Sequence, residues 1–155
     1  MEAIGAVDEL NAHLGLCATT GEKDALAAQL ITLCAKLFEL GADLADTESS
    51  TPGAKRLLPA GAEQELEVWI DGWEAVLPPL RHFILPGGSE RSARLQVARA
   101  VCRRAERSLV TMGEAGDALP PGALAFVNRL GDLLFVMARV ANQAAGVGEV
   151  EWRGK

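Results

Sequence analysis

Ala98-Arg99-Ala100-Val101-Cys102-Arg103-Arg104-Ala105-Glu106-Arg107 sets four arginines and a glutamate within nine positions. Around it, Leu95, Ala98, Cys102, Ala105, Leu109 and Met112 recur at spacings of three and four, the pattern of an α-helix with one buried stripe. Arg99, Arg103 and Glu106 or Arg107 keep that spacing on another face, so they are expected to project together. Guanidinium groups crowded beside a packed seam call for an anion. It can be a carboxylate of this chain, a carboxylate of another subunit, or the phosphates of a ligand. A solvated helix face with no further role fits the same residues as well. The rest of the chain reads as the frame that holds this helix.

Working outward, the helix of 90–113 is preceded by residues 78–89, Pro78-Pro79-Leu80-Arg81-His82-Phe83-Ile84-Leu85-Pro86-Gly87-Gly88-Ser89. The paired prolines stop the helix before them, and Ser89 is a good cap for the helix after them. A solvent loop rarely carries this much apolar surface, so this one is expected to pack on something. Upstream, periodicity predicts helices over 2–19 (Val7, Leu10, Leu14 and Cys17 inward), 22–45 (six leucines from Leu26 to Leu44 inward) and 60–77 (Leu66, Ile70, Trp73 and Leu77 inward). Gly21 separates the first two, and 46–59 reads as a loop. Downstream, 113–122 turns the chain into a helix over 121–145, with Pro121 in its first turn and Val127, Leu130, Leu134, Met137 and Ala141 inward. In the tail, 146–155, Val147, Val150 and Trp152 alternate, so it is expected to lie extended against the bundle. No strand pair is expected. Five helices with short connections imply an all-α antiparallel bundle forming one domain over 1–155.

Composition narrows the function classes. The chain has 155 residues, is 49% hydrophobic and carries a net charge of -6. That is enough for one real core, and it argues against general affinity for nucleic acid or an anionic membrane. The arginine helix is then a local basic spot on an acidic protein. Cys17, Cys34 and Cys102 all fall on apolar stripes, as buried free thiols of a reducing compartment do. No signal peptide is evident and no apolar run is expected to span a bilayer, which together suggest a soluble cytoplasmic protein.

Most site chemistries fail on residue type. Di-iron bundles need Glu-x-x-His pairs, and neither His13 nor His82 has a glutamate three residues before it. No zinc set, phosphate-binding Gly-x-x-x-x-Gly-Lys loop or dinucleotide fingerprint is present, and no protein metal site is expected. Pro86-Gly87-Gly88-Ser89 opens a helix N-terminus, which suits an anion but equally a plain tight turn. Asn128 and Asp132 read as surface residues, Asp8 and Glu9 as charges complementing a helix dipole, and His82 and Phe83 as loop packing. Residue chemistry alone therefore yields a helical bundle with a candidate anion site.

Four blocks taken together add a resemblance. They are Ala6-Val7-Asp8-Glu9-Leu10-Asn11-Ala12, Phe83-Ile84-Leu85-Pro86-Gly87-Gly88, Arg99 through Arg107, and Asn128-Arg129-Leu130-Gly131-Asp132-Leu133-Leu134-Phe135. In order and spacing they resemble the PduO-type ATP:cob(I)alamin adenosyltransferases over essentially the whole chain. The resemblance implies a five-helix bundle of ferritin-like, cobalamin adenosyltransferase-like form, assembled as a homotrimer with sites between subunits. It implies transfer of the 5′-deoxyadenosyl group of ATP, with Mg2+, to the cobalt of cob(I)alamin, releasing triphosphate. By position, Arg103 resembles the arginine on the triphosphate. Arg104, Glu106, Arg107, Asn128 and Asp132 fall at the ATP site. Phe83 resembles the phenylalanine under the corrin, and Asp8 and Asn11 fall on the corrinoid side. Arg99 resembles an arginine that pairs across the subunit interface with an aspartate at the position of Asp8. A corrinoid reductase or an adenosylcobalamin-dependent enzyme is an implied further partner.

The chain departs from that pattern at its start. Met1-Glu2-Ala3 leads almost directly into helix one, without the glycine- and threonine-rich ATP loop the family carries there. Two expectations follow: a trimmed form of a longer enzyme, favoured because the arginines, Phe83 and Asn128 remain, or a non-catalytic corrinoid-binding carrier.

Overall fold

The structure is a computed structural model and describes residues 1–46, 49–51 and 53–154. Five helices carry it: α1 (Glu2–Thr19), α2 (Ala25–Ala45), α3 (Ala62–Glu74), α4 (Glu90–Glu114) and α5 (Ala123–Ala144). Two short strands, β1 (Phe83–Ile84) and β2 (Glu151–Trp152), pair antiparallel, Phe83 opposite Trp152 and Ile84 opposite Glu151. This corrects the expectation of no strand pair. Two residues per strand are too short a run for a periodicity reading to register. The tail does lie extended, as the alternation of Val147, Val150 and Trp152 suggested.

The helix boundaries follow local chemistry. Asp24 accepts a hydrogen bond from the Ala27 amide (2.8 Å), so α2 starts at Ala25 rather than at 22. Ser89 caps α4 by accepting from the Ser92 amide (3.2 Å). Pro121 is not in the first turn of α5. Gly122 is left-handed at φ 85 and serves as the cap residue, so regular helix starts at Ala123. The helix expected over 60–77 is regular only over Ala62–Glu74, and isolated turns continue it to Leu77. Positions 47, 48 and 52 of the loop read at 46–59 lie outside the described residues, as does 155 of the tail.

Consecutive helices run antiparallel. Cys34 Sγ reaches the Asn11 carbonyl between α1 and α2, and Trp73 Nε1 donates to Gln29 Oε1 (2.7 Å) between α2 and α3. Arg104 pairs with Glu9 between α4 and α1, and Cys102 Sγ meets the Val127 carbonyl between α4 and α5. The packed pairs are α4 on α5, α1 on α2, α1 on α4, and α3 on α5. Their shared core is aliphatic. Leu26, Leu30, Leu33, Leu37, Leu40 and Leu44 of α2 are all buried, each worth about 1.5–3 kcal/mol of burial. The predicted stripes of α1, α4 and α5 are buried as well, apart from half-buried Met112. Of the stripe predicted over 60–77 only Leu66 is fully inside, and Ile70, Trp73 and Leu77 are half-buried. Cys17 and Cys102 are buried, whereas Cys34 sits at the edge of its stripe. One expectation about apolar runs needs correction: Ala25–Ala45 is long and apolar enough to cross a membrane by length and composition. In this structure its leucine seam packs inside the bundle.

Two polar anchors position the loop between α3 and α4. Arg139, buried near the end of α5, donates to Glu149 Oε1 (2.8 Å) and to the Pro78 carbonyl (2.7 Å). Asn142, one turn on, accepts from the Ser89 amide (2.8 Å) and donates to the Gly87 carbonyl (3.2 Å).

Candidate active site

The apolar loop does not bury itself, contrary to expectation. Leu80, Phe83 and Leu85 stay exposed, and Phe83 shows 79% of its surface. The loop is held by its backbone instead: β1 pairs with β2, and the Leu85 amide donates to the Val150 carbonyl (2.8 Å). The Phe83 ring stands 6.5 Å from that of Trp152, tilted by 59°. Together the two aromatics wall an open groove of about 1130 Å³ between the loop and the adjoining faces of α4 and α5. Its far wall includes Arg99, Phe135 and Asp132. Small-molecule sites run to about 300–1,000 Å³, so this groove stands at the upper end of that range.

Charge is concentrated there. Arg81, Arg99, Arg129 and Arg153 line the groove against only Glu74 and Asp132 as carboxylates, in a chain whose net charge is -6. Arg99 is half-buried, its guanidinium 5.4 Å from the centre of the Phe135 ring, a cation–π placement. Asp132 accepts from Arg129 (2.9 Å), which also reaches Glu67 (3.2 Å). A second, smaller hollow of about 460 Å³ runs on across Pro86, Gln96 and Ala100, residues it shares with the groove, and ends at Arg104 and Arg107.

The arginine cluster of α4 is therefore divided. At about 100° per residue, Arg99 and Glu106 fall on the α5 flank, Arg104 falls on the α1 flank, and Arg103 and Arg107 point outward. Glu106 accepts from the Asn128 amide (2.7 Å), and Arg104 is paired with Glu9. Arg103 and Arg107 are exposed and make no ion pair among the described residues. The expected common projection of Arg99, Arg103 and Arg107 thus holds only in part, because Arg99 folds down against Phe135. Cys102, beneath this face, has its thiol pushed up to about 12 by burial, with Glu106 and Asp132 adding to the effect. It stays protonated and inert at neutral pH.

Phe83, Arg99 and Asp132 are thus brought to one groove, Arg104 and Arg107 to the hollow that continues it, and Glu106 to Asn128 beside it. Arg103 stands outside both walls. Asp8 and Asn11 lie on α1 and line neither; Asp8 is exposed, with no ion pair in the described chain, and Arg99 is not its partner there. Sequence reasoning missed Trp152, Arg129 and Phe135 as groove residues, and Arg139 and Asn142 as its anchors. Trp152 left a trace in the alternation of the tail, and Arg129 and Phe135 lie within the fourth block without a role of their own. Among the described residues, no three His, Cys, Asp or Glu side chains gather to hold a metal ion.

Comparison with known proteins points the same way. A family model described as cobalamin adenosyltransferase matches residues 1–141. A cobalamin adenosyltransferase of Cupriavidus metallidurans is 45% identical over 152 residues, covering 97% of this chain and 79% of the relative. A corrinoid adenosyltransferase of Bacillus subtilis is 38% identical, covering 98% of this chain and 79% of its own length. Among solved structures, a variant PduO-type ATP:corrinoid adenosyltransferase of Lactobacillus reuteri, complexed with cobalamin and ATP, superposes with a TM-score of 0.87 at 31% identity. That match covers 98% of this chain and 84% of the other. With the bundle, the groove and the arginine helix all in place, the chain belongs to the cobalamin adenosyltransferase family.

Proposed function

We propose that this protein transfers the 5′-deoxyadenosyl group of ATP to the cobalt of a reduced corrinoid such as cob(I)alamin. The observation that carries the reading is the groove itself: a space of about 1130 Å³ with an exposed phenylalanine on one wall and arginines on the other. The structural relative that binds cobalamin and ATP supports it. Co(I) is a strong nucleophile, so the protein need not supply one. The cobalt electron pair attacks C5′, a Co–C bond forms, the C5′–O bond breaks, and triphosphate leaves with the electrons. What the chain must provide is alignment and charge stabilisation.

Phe83 suits the corrin's lower face. An apolar ring there excludes water and an axial donor, and four-coordinate Co(II) is easier to reduce because no ligand has to leave. Arg103 and Arg107, which make no ion pair among the described residues, suit the departing triphosphate, since forked donors match phosphate oxygens. Arg104 belongs to the same surface. The Glu106–Asn128 pair and Asp132 bound the nucleotide side. Magnesium enters with ATP as its counter-ion. The open faces carrying Asp8 and Asn11 are completed in this reading by a homotrimer, in which Asp8 of one subunit meets Arg99 of the next and closes the corrinoid side. That arrangement ties assembly to site formation.

Phe83→Ala tests the reading. Turnover from Co(II) corrinoid with a reductant should fall about 10²-fold, and turnover from preformed Co(I) by less than about tenfold. Equal losses in the two assays would reduce Phe83 to ordinary packing and remove the main support for a corrinoid in the groove.

A further inference from the structure

The last turns of α5 hold a puzzle for simple bundle packing. Residues 136–142 are all buried, and within that apolar run stand one arginine and one asparagine. Burying a guanidinium and an amide is unfavourable unless both are fully paired. They are paired, but not to another helix. Arg139 spreads its fork over Glu149 Oε1 (2.8 Å), Glu149 Oε2 (3.3 Å) and the Pro78 carbonyl (2.7 Å). Asn142 bonds to the Gly87 carbonyl and the Ser89 amide. Every one of these partners lies in the two segments that bracket the exposed aromatics, 78–89 around Phe83 and 147–152 leading to Trp152.

The backbone confirms how tightly this corner is built. Gly88 is left-handed at φ +97, and a Cβ there would collide with the Asn142 amide. Phe83 itself packs on little besides Trp152. Its height over the groove is set by the pairing of β1 with β2 and by the Leu85–Val150 hydrogen bond. The tail that supplies β2 is in turn held to the bundle by the Arg139–Glu149 ion pair, whose side chains are 7% and 21% exposed.

We infer that Arg139 and Asn142 are positioning residues for Phe83: from α5 they fix the loop and the C-terminal strap that together hold that ring at the corrinoid groove. The inference rests on the adenosyltransfer reading. It adds that the strap, Glu149 to Trp152, is a working part of the corrinoid site, and that Trp152 shares the wall that Phe83 forms.

The test compares the intact chain with Arg139→Lys, which keeps the charge but loses the fork, and with Glu149→Ala. Amide hydrogen exchange at Leu85, the melting of the bundle by circular dichroism, and the KM values for corrinoid and ATP are measured on each. In both variants Leu85 should exchange at least about tenfold faster while amides of α1 and α4 are unchanged. The kcat/KM for Co(II) corrinoid should fall about 10²-fold, with the ATP KM held within about twofold. Unchanged exchange at Leu85 would overturn the anchoring. Faster exchange with normal corrinoid kinetics would overturn the positioning role, and so would parallel losses toward ATP and corrinoid together with early melting. Failure of the underlying reading looks different: the wild-type chain itself would form no adenosylated corrinoid, and the inference would fall with it.

Discussion

Arg103 carries the sharpest of the proposed roles, because no ion pair among the described residues uses its charge. It is exposed, and among the described residues no carboxylate pairs with it, while its neighbour Arg104 is tied to Glu9. An arginine kept free on an acidic protein is available to a phosphate. Arg103→Ala should leave helix content unchanged and remove about 2–4 kcal/mol of transition-state stabilisation, read as lost kcat/KM. Normal turnover by that variant would end the role assigned to it. At this scale the sequence was informative about identity and poor about company. The four blocks named Phe83, Arg99, Glu106, Asn128 and Asp132. They did not show that Arg99 stacks on Phe135 or that Asp132 is shared with Arg129. The first contact joins positions more than thirty apart, for which spacing carries no signal; the second is an i,i+3 neighbour pair that helical spacing allows but does not single out.

At the scale of elements, the helices were legible because each carries a regular apolar stripe, and errors gathered where capping chemistry decides. Asp24 and Gly122 moved two helix starts inward, and the pairing of two-residue strands has no period to read. One cap also does long-range work. Arg91, buried at the start of α4, donates to Asp24 (2.7 Å), to the Glu22 carbonyl (2.6 Å) and to the Thr20 carbonyl. It therefore staples the α1–α2 turn to the first turn of α4. Burial opposes ionisation of Asp24, but hydrogen bonds from the Ala27 amide and from Arg91, with the charge of Arg91, outweigh it and hold the carboxyl below its ordinary range. Arg91→Met should destabilise the fold by about 3 kcal/mol in chemical denaturation, since it strands acceptors that are partly shielded from water. A loss under about 1 kcal/mol would mean that water replaces the guanidinium at no cost.

At the scale of the whole molecule, one chain leaves charged faces bare. Among the described residues Asp8 stands exposed on α1 without an ion pair, and Arg99 finds an aromatic ring but no carboxylate. In the proposed trimer each supplies the other's partner. Asp8→Asn should shift the assembly toward smaller species in sedimentation and weaken corrinoid binding with it. Unchanged sedimentation together with unchanged kinetics would break the link between Asp8 and Arg99. In the proposed trimer these contacts join different copies, so neither the periodicity of the sequence nor the packing of one chain carries a signal for them.

The measurement that bears most directly on the central claim is made without oxygen. The chain is mixed with ATP, magnesium and chemically reduced cob(I)alamin, and the visible spectrum is followed while triphosphate is assayed. Conversion to adenosylcobalamin is expected, with one triphosphate released per Co–C bond formed, and none without ATP. A cob(I)alamin spectrum that ATP leaves unchanged, with no triphosphate released, would contradict the adenosyltransfer reading.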